Sequence, residues 1–88
     1  MSGGKRLTVY IRTYCHLCDD MLKALAPWVE PHGLQLETVD IDADPALEAR
    51  YGELVPVLCG ASGEEICHYF FDAQALAAYL ESPKKPIQ

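Results

Sequence analysis

The chain has no uninterrupted apolar run of the about 20 residues that a helix needs to cross a bilayer, although half of its 88 residues are apolar. A membrane-spanning reading is therefore excluded, and the composition is that of a globular chain. Basic residues are also scarce. Seven Lys and Arg stand against 13 Asp and Glu, a net charge of −6. No cationic stripe is present to follow a phosphate backbone or an anionic lipid surface, so neither nucleic acid nor membrane is an expected partner. Internal repeats and low-complexity tracts are absent. The opening Met-Ser-Gly-Gly-Lys-Arg is not followed by the apolar core of a secretory signal, because Thr8 and Arg12 interrupt the only candidate stretch. That predicts a cytoplasmic location, where thiols stay reduced, and the four cysteines then read as reactive or buried thiols rather than as a disulfide scaffold.

What is present fits one small domain over residues 1–88, long enough to bury roughly 60–65% of the surface its unfolded chain would expose. Residues 82–88, rich in Pro and Lys, read as a loose tail. Arg6 to Ile11 is β-branched and aromatic, with the nearly continuous apolar character of an interior strand. From His16, the residues Leu17, Met21, Leu22, Leu25 and Val29 recur at helical spacing. Pro27 predicts a kink or an end near Leu25-Ala26, with Pro31-His32-Gly33 closing the unit and Trp28 packing. Leu34 to Asp40 alternates loosely and reads as a strand nearer the edge. Asp40, Asp42 and Asp44 suggest a metal loop, but the register lacks the glycine and distal glutamate of a calcium loop. Asp44-Pro45 reads instead as a cap and first turn for a short helix to Tyr51, stopped by Gly52. A strand opening at Pro56, a turn at Gly60 to Gly63 and a strand Ile66 to Phe71 make a hairpin. Asp72 then caps a last helix carrying Leu76, Ala77 and Leu80, ended by Ser82-Pro83. The order is β-α-β-α-β-β-α, an α/β chain.

Cys15-His16-Leu17-Cys18 lies where the first strand gives way to the first helix. A sulfur there meets unpaired helical N–H groups and the positive end of the helix dipole, both of which favour the thiolate that attacks a disulfide. Cys15 is the expected nucleophile. Cys18, one turn on and more enclosed, is the expected resolving thiol. A protonated His16 would support the thiolate of Cys15, whereas Asp19 and Asp20 oppose it. The competing readings are two small buried residues or half of a zinc site.

These features together make the chain similar to the glutaredoxin branch of the thioredoxin fold. The resemblance rests on the cysteine pair after the first strand, Val55-Pro56 opening the third, and Asp72 opening the last helix. It implies a four-stranded mixed sheet with helices on both faces, a cis bond before Pro56, and a Val55 backbone free to pair with an extended substrate strand. Arg12 matches the family's basic residue three positions before the first cysteine, so Arg12 and Asp72 join Val55 and Pro56 as expected substrate-binding residues. Two family features differ: Cys-His-Leu-Cys stands where Cys-Pro-Tyr-Cys is usual, and Phe70-Phe71 stands where a Gly-Gly pair is usual. The resemblance thus implies a monomeric or weakly associating thiol–disulfide oxidoreductase acting on protein or small-molecule disulfides. No cofactor is required, and glutathione or a thioredoxin-type dithiol is the candidate reductant. The alternatives are a metal- or iron–sulfur-binding domain and a redox-sensing interaction domain without catalysis. Cys59 and Cys67 read first as small buried residues, and otherwise as a second redox pair or part of a four-cysteine metal site. His32 and His68 carry no separable signal.

Overall fold

A computed structural model describes residues 5–81 of the chain. The tail expected at 82–88 and the Ser82-Pro83 stop lie outside these described residues. Strand β1 (Arg6–Ile11) leads into helix α1 (His16–His32), then β2 (Gln35–Asp40), a 3-10 turn (Ile41–Ala43), α2 (Pro45–Tyr51), β3 (Val57–Cys59), β4 (Glu65–His68) and α3 (Ala73–Glu81). The expected β-α-β-α-β-β-α order holds, and the chain has a thioredoxin-like fold. The sheet runs β2-β1-β3-β4, with β1 parallel to β2 and antiparallel to β3, and β3 antiparallel to β4. It is a mixed sheet with β1 inside and β2 at an edge, as their apolar patterns require.

Alternation along the inner strands builds two cores. Leu7 and Val9 of β1, Leu58 of β3 and Cys67 of β4 face Met21 and Leu25 of α1 and Leu76 of α3. On the other face Val57 and Cys59 meet Ile41 and Tyr51, with Tyr10 stacked on Tyr51 at a ring separation of 4.3 Å. Helices therefore cover both faces. Each fully buried Leu or Val side chain stabilises the fold by about 1.5–3 kcal/mol relative to exposure.

Helix α1 does not end near Leu25-Ala26. It continues through Pro27 and Pro31 to His32. Those prolines sit four residues apart, in line with Lys23 on an exposed stripe, so the carbonyls that lose a donor lie on the solvent side and can bond to water. The opposite stripe, Met21 and Leu25 with Trp28 and Val29 against the core, holds the helix in place. Trp28 packs as expected, with its ring 5.2 Å from His32 and 5.9 Å from Phe71. Gly33 ends the helix in the left-handed conformation, its N–H donating to Glu30 O.

Strand β4 is shorter than the alternation predicts and stops at His68 rather than Phe71. Tyr69 adopts a φ of +64° and the Phe70 N–H bonds back to His68 O, which turns the chain toward α3. Cys67 lies opposite Leu58 in the regular register, and a shift after Leu58 places Cys59 opposite Glu65. At the hairpin turn the Tyr79 hydroxyl accepts from Ala61 N at 3.0 Å, and a methyl group at Gly60 would lie 2.5 Å from the Tyr79 ring.

Candidate active site

The local sequence at the end of β1 places a sulfur at the cap of α1. Cys15 is extended, at φ −120° and ψ 106°, and its Sγ accepts a hydrogen bond from Cys18 N at 3.1 Å. Cysteine here takes the place of the Ser or Asp side chain that normally caps a helix. Cys15 and Cys18 are joined as a disulfide with a Cα–Cα distance of 5.2 Å. Cys15 is half-buried, while Cys18 is 2% exposed. The outer sulfur is half-buried and accepts from one backbone N–H, and the inner one is enclosed, which is the asymmetry that sequential attack and resolution need. His16 is exposed at the first position of α1, with Asp19 in the same turn.

The antiparallel pairing of Tyr10 with Val57 brings the start of β3 to the end of the sheet where β1 releases the cysteines. Pro56 is fully buried there, and the Val55-Pro56 bond is cis. The Pro56 carbonyl accepts from Tyr69 N at 2.9 Å. Val55 is only partly available: its N–H donates to Tyr51 O at 3.1 Å, so the expectation of a free Val55 backbone is corrected. The first turn after α2 folds back on that helix and uses the donor. The Val55 carbonyl has no donor among the described residues.

Arg12 meets carboxylates of its own chain. Its Nε donates to Asp42 Oδ1 at 3.1 Å, its Nη2 to Glu48 Oε2 at 3.0 Å and its Nη1 to the Gly52 carbonyl at 3.2 Å. The Asp42 hydrogen bond leads in raising the Arg12 pKa, with Glu48 adding to it and desolvation opposing. The guanidinium thus ties the end of β1 to the 3-10 turn and α2, and its expected role as a substrate ligand is corrected to a brace. The aspartates around it have local roles as well: Asp40 caps the 3-10 turn through Asp42 N, and Asp44 caps α2 through Ala46 N. Asp72 accepts from Ala75 N at 3.0 Å and so caps α3. It lies on the loop that begins at Tyr69, beside Pro56.

Cys59 and Cys67 are buried on opposite faces of the sheet, so the four cysteines do not converge on one ion or one second redox pair. Burial pushes both thiols above their ordinary value, which keeps them protonated and unreactive. Among the described residues no three His, Cys, Asp or Glu side chains are grouped to hold a metal ion. No described helix is long and apolar enough to cross a membrane. Sequence reasoning missed Tyr14 and Tyr69. Both take positive φ, +59° and +64°, and Tyr14 is fully exposed directly before Cys15. Nothing in the residue types signals this, because a tyrosine is a poor choice for left-handed backbone.

Comparison with known proteins agrees with this geometry. The family model described as Glutaredoxin-like domain (DUF836) matches residues 6–81. The solution structure of protein Ne2328 from Nitrosomonas europaea is similar at 35% identity and a TM-score of 0.82, covering 92% of this chain and 96% of that one. The X-ray structure of protein XcR50 from X. campestris is similar at 42% identity and a TM-score of 0.71, covering 91% and 99%. A mutant thioredoxin from Halobacterium salinarum shares the fold, at 23% identity and a TM-score of 0.66 over 98% and 80% of the two chains. No curated protein matches the chain. The thioredoxin-like fold with a disulfide across two intervening residues supports a redox role.

Proposed function

The chain belongs to the glutaredoxin-like domain family, and from that premise we propose that it is a thiol–disulfide oxidoreductase with a two-thiol mechanism. The observation that carries the reading is the half-buried Cys15 sulfur at the cap of α1, bonded to the Cys18 N–H, with Cys18 enclosed behind it. In the reduced chain the Cys15 thiolate attacks a substrate disulfide. A bond forms from Cys15 to one substrate sulfur as the substrate S–S bond breaks, and the departing thiolate takes up a proton. Cys18, deprotonated in turn, attacks the Cys15 sulfur, closes the internal disulfide and releases the second substrate thiol. Two electrons and two protons pass to the substrate, and an external thiol or dithiol restores the reduced pair. Asp19 and Asp20 oppose the attacking thiolate, and the Val55 carbonyl beside Pro56 accepts one backbone bond from an extended substrate.

Reduction of insulin or of a small disulfide by the pre-reduced chain tests this. Wild type should turn over, Cys15→Ser should lose activity, and Cys18→Ser should accumulate a mixed disulfide with its substrate. A Cys15→Ser chain as fast as wild type would refute the assigned nucleophile.

A further inference from the structure

Three large aromatic side chains are exposed among the described residues: Tyr14 at 100%, Phe70 at 67% and Tyr69 at 41%. All three belong to one end of the sheet. Tyr14 follows β1 and directly precedes Cys15, while Tyr69 is bonded to the Pro56 carbonyl and Phe70 follows it. The strands that lead to them flank β3, so the strand ends at Tyr10 and His68, both paired with Val57, lie about 10 Å apart at ordinary strand spacing. Two of the three are held at positive φ, a conformation that is costly for a residue with a side chain and recurs at ligand-binding sites. Tyr69 is fixed there by its hydroxyl, which donates to the Glu53 carbonyl at 2.8 Å. The fold thus holds aromatic surface in water directly before Cys15 and on the loop bonded to Pro56, where a packed core would have withdrawn it.

Exposed carboxylates outnumber cations on the elements around this surface, with Lys23 one turn along α1 from Asp19 and Asp20. Asp19, Asp20, Glu53 and Asp72 are exposed on the elements that frame the disulfide. The one arginine at this end, Arg12, is already paired with Asp42 and Glu48. Lys5 and Arg6 lie at the opposite end of β1, and Arg50 sits over the ring of Tyr51. A ligand with carboxylates, such as glutathione, finds repulsion here. A cationic one finds attraction.

We infer that the aromatic rim of Tyr14, Tyr69 and Phe70 is a docking surface for an extended segment of a partner protein, with apolar or aromatic residues and lysine or arginine flanking its disulfide cysteine. The inference rests on the redox reading above and names its substrate class. The chemistry is unchanged: Cys15 takes one sulfur of the partner's disulfide, Cys18 releases it, and two electrons pass to the partner.

The test uses the pre-reduced chain and three probes. The first is a short peptide disulfide with Phe and Lys around the cysteine, the second is the same peptide with Glu for Lys, and the third is glutathione disulfide. The cationic peptide should react about tenfold or more faster than either acidic probe at low ionic strength, with the gap shrinking as salt is added. In Phe70→Ser, and in Tyr14→Asn, whose asparagine tolerates left-handed backbone, the rate ratio of cationic peptide to glutathione disulfide should fall by about tenfold. Equal rates for the three probes, or an unchanged ratio in both variants, would overturn the assignment. A second arm titrates the oxidised chain with the cationic peptide carrying Ser in place of Cys. Binding that weakens in Phe70→Ser supports the docking surface even for a chain that reduces no probe, a result that would refute the redox reading alone.

Discussion

The four cysteines form two pairs that chemistry treats in opposite ways. Cys15 and Cys18 sit where a helix begins, one sulfur half-buried and bonded to a backbone N–H, and they are joined. Cys59 and Cys67 sit in adjacent strands, buried on opposite faces of the sheet, and burial raises both thiols. Neighbouring strands would bring two cysteines together only if they shared a face and a register. The regular register sets Cys67 against Leu58, one residue from Cys59 and so on the other face, and the shift after Leu58 sets Cys59 against Glu65, which denies them both. A thiol is thus made reactive by what surrounds it, and spacing along the chain matters only through the element that carries it.

The sharpest way to break this contrast is to exchange the outcomes of matched substitutions. Cys15→Ser should lower the disulfide-exchange rate by more than about 100-fold, since a hydroxyl replaces the attacking sulfur. Cys59→Ala, removing a buried thiol on the α2 side, should leave that rate within about twofold. Stopped-flow reduction of a chromogenic disulfide decides it, and a large rate loss in Cys59→Ala would end the distinction.

Alkaline stability sharpens the same comparison. Folded Cys59 and Cys67 resist ionisation, whereas in the unfolded chain they ionise near the ordinary value of 9.0. The unfolded state therefore binds fewer protons once pH passes that value, and the stability of the oxidised chain falls as pH rises. The slope approaches about 1.4 kcal/mol per pH unit for each thiol. Urea unfolding between pH 8 and 9, below the ordinary value of 10.0 near which the unfolded Tyr51 begins to ionise, should show the slope roughly halved in Cys59→Ala. A flat profile would contradict the burial argument.

Smaller effects separate residues beside the reactive pair from residues in it. Asp72→Ala should cost about 1 kcal/mol through loss of the α3 cap, measured by urea midpoint. Arg12→Met should destabilise least, and the loss should shrink in high salt, because its carboxylate partners are exposed. An effect of Arg12→Met on the exchange rate larger than that of Cys18→Ser would return Arg12 to the substrate.

Much of this was legible in the residues. Apolar runs and caps located every strand and α-helix but not the 3-10 turn, and Cys15 was placed as a helix-cap sulfur because strand-like and helix-like periodicities meet there. Asp44 and Asp72 declared their helices by residue type alone. What stayed hidden depends on contacts distant in sequence. Pro27 argued for a kink or an end near Leu25-Ala26, yet with Met21 and Leu25 packed in the core the helix runs on to His32. Arg12 looked free until Asp42 and Glu48, 30 and 36 residues away, came to meet it. Left-handed tyrosines carry no local signature, since a bond such as Tyr69 to Glu53 exists only after folding.

The single tryptophan has a use that follows from where it packs. Its indole touches the edge of Phe71, the residue between the exposed Phe70 and the capping Asp72. Any guest that reorders this loop will disturb the light the indole emits. The protein carries its own optical gauge of encounter, readable without a dye or a tag.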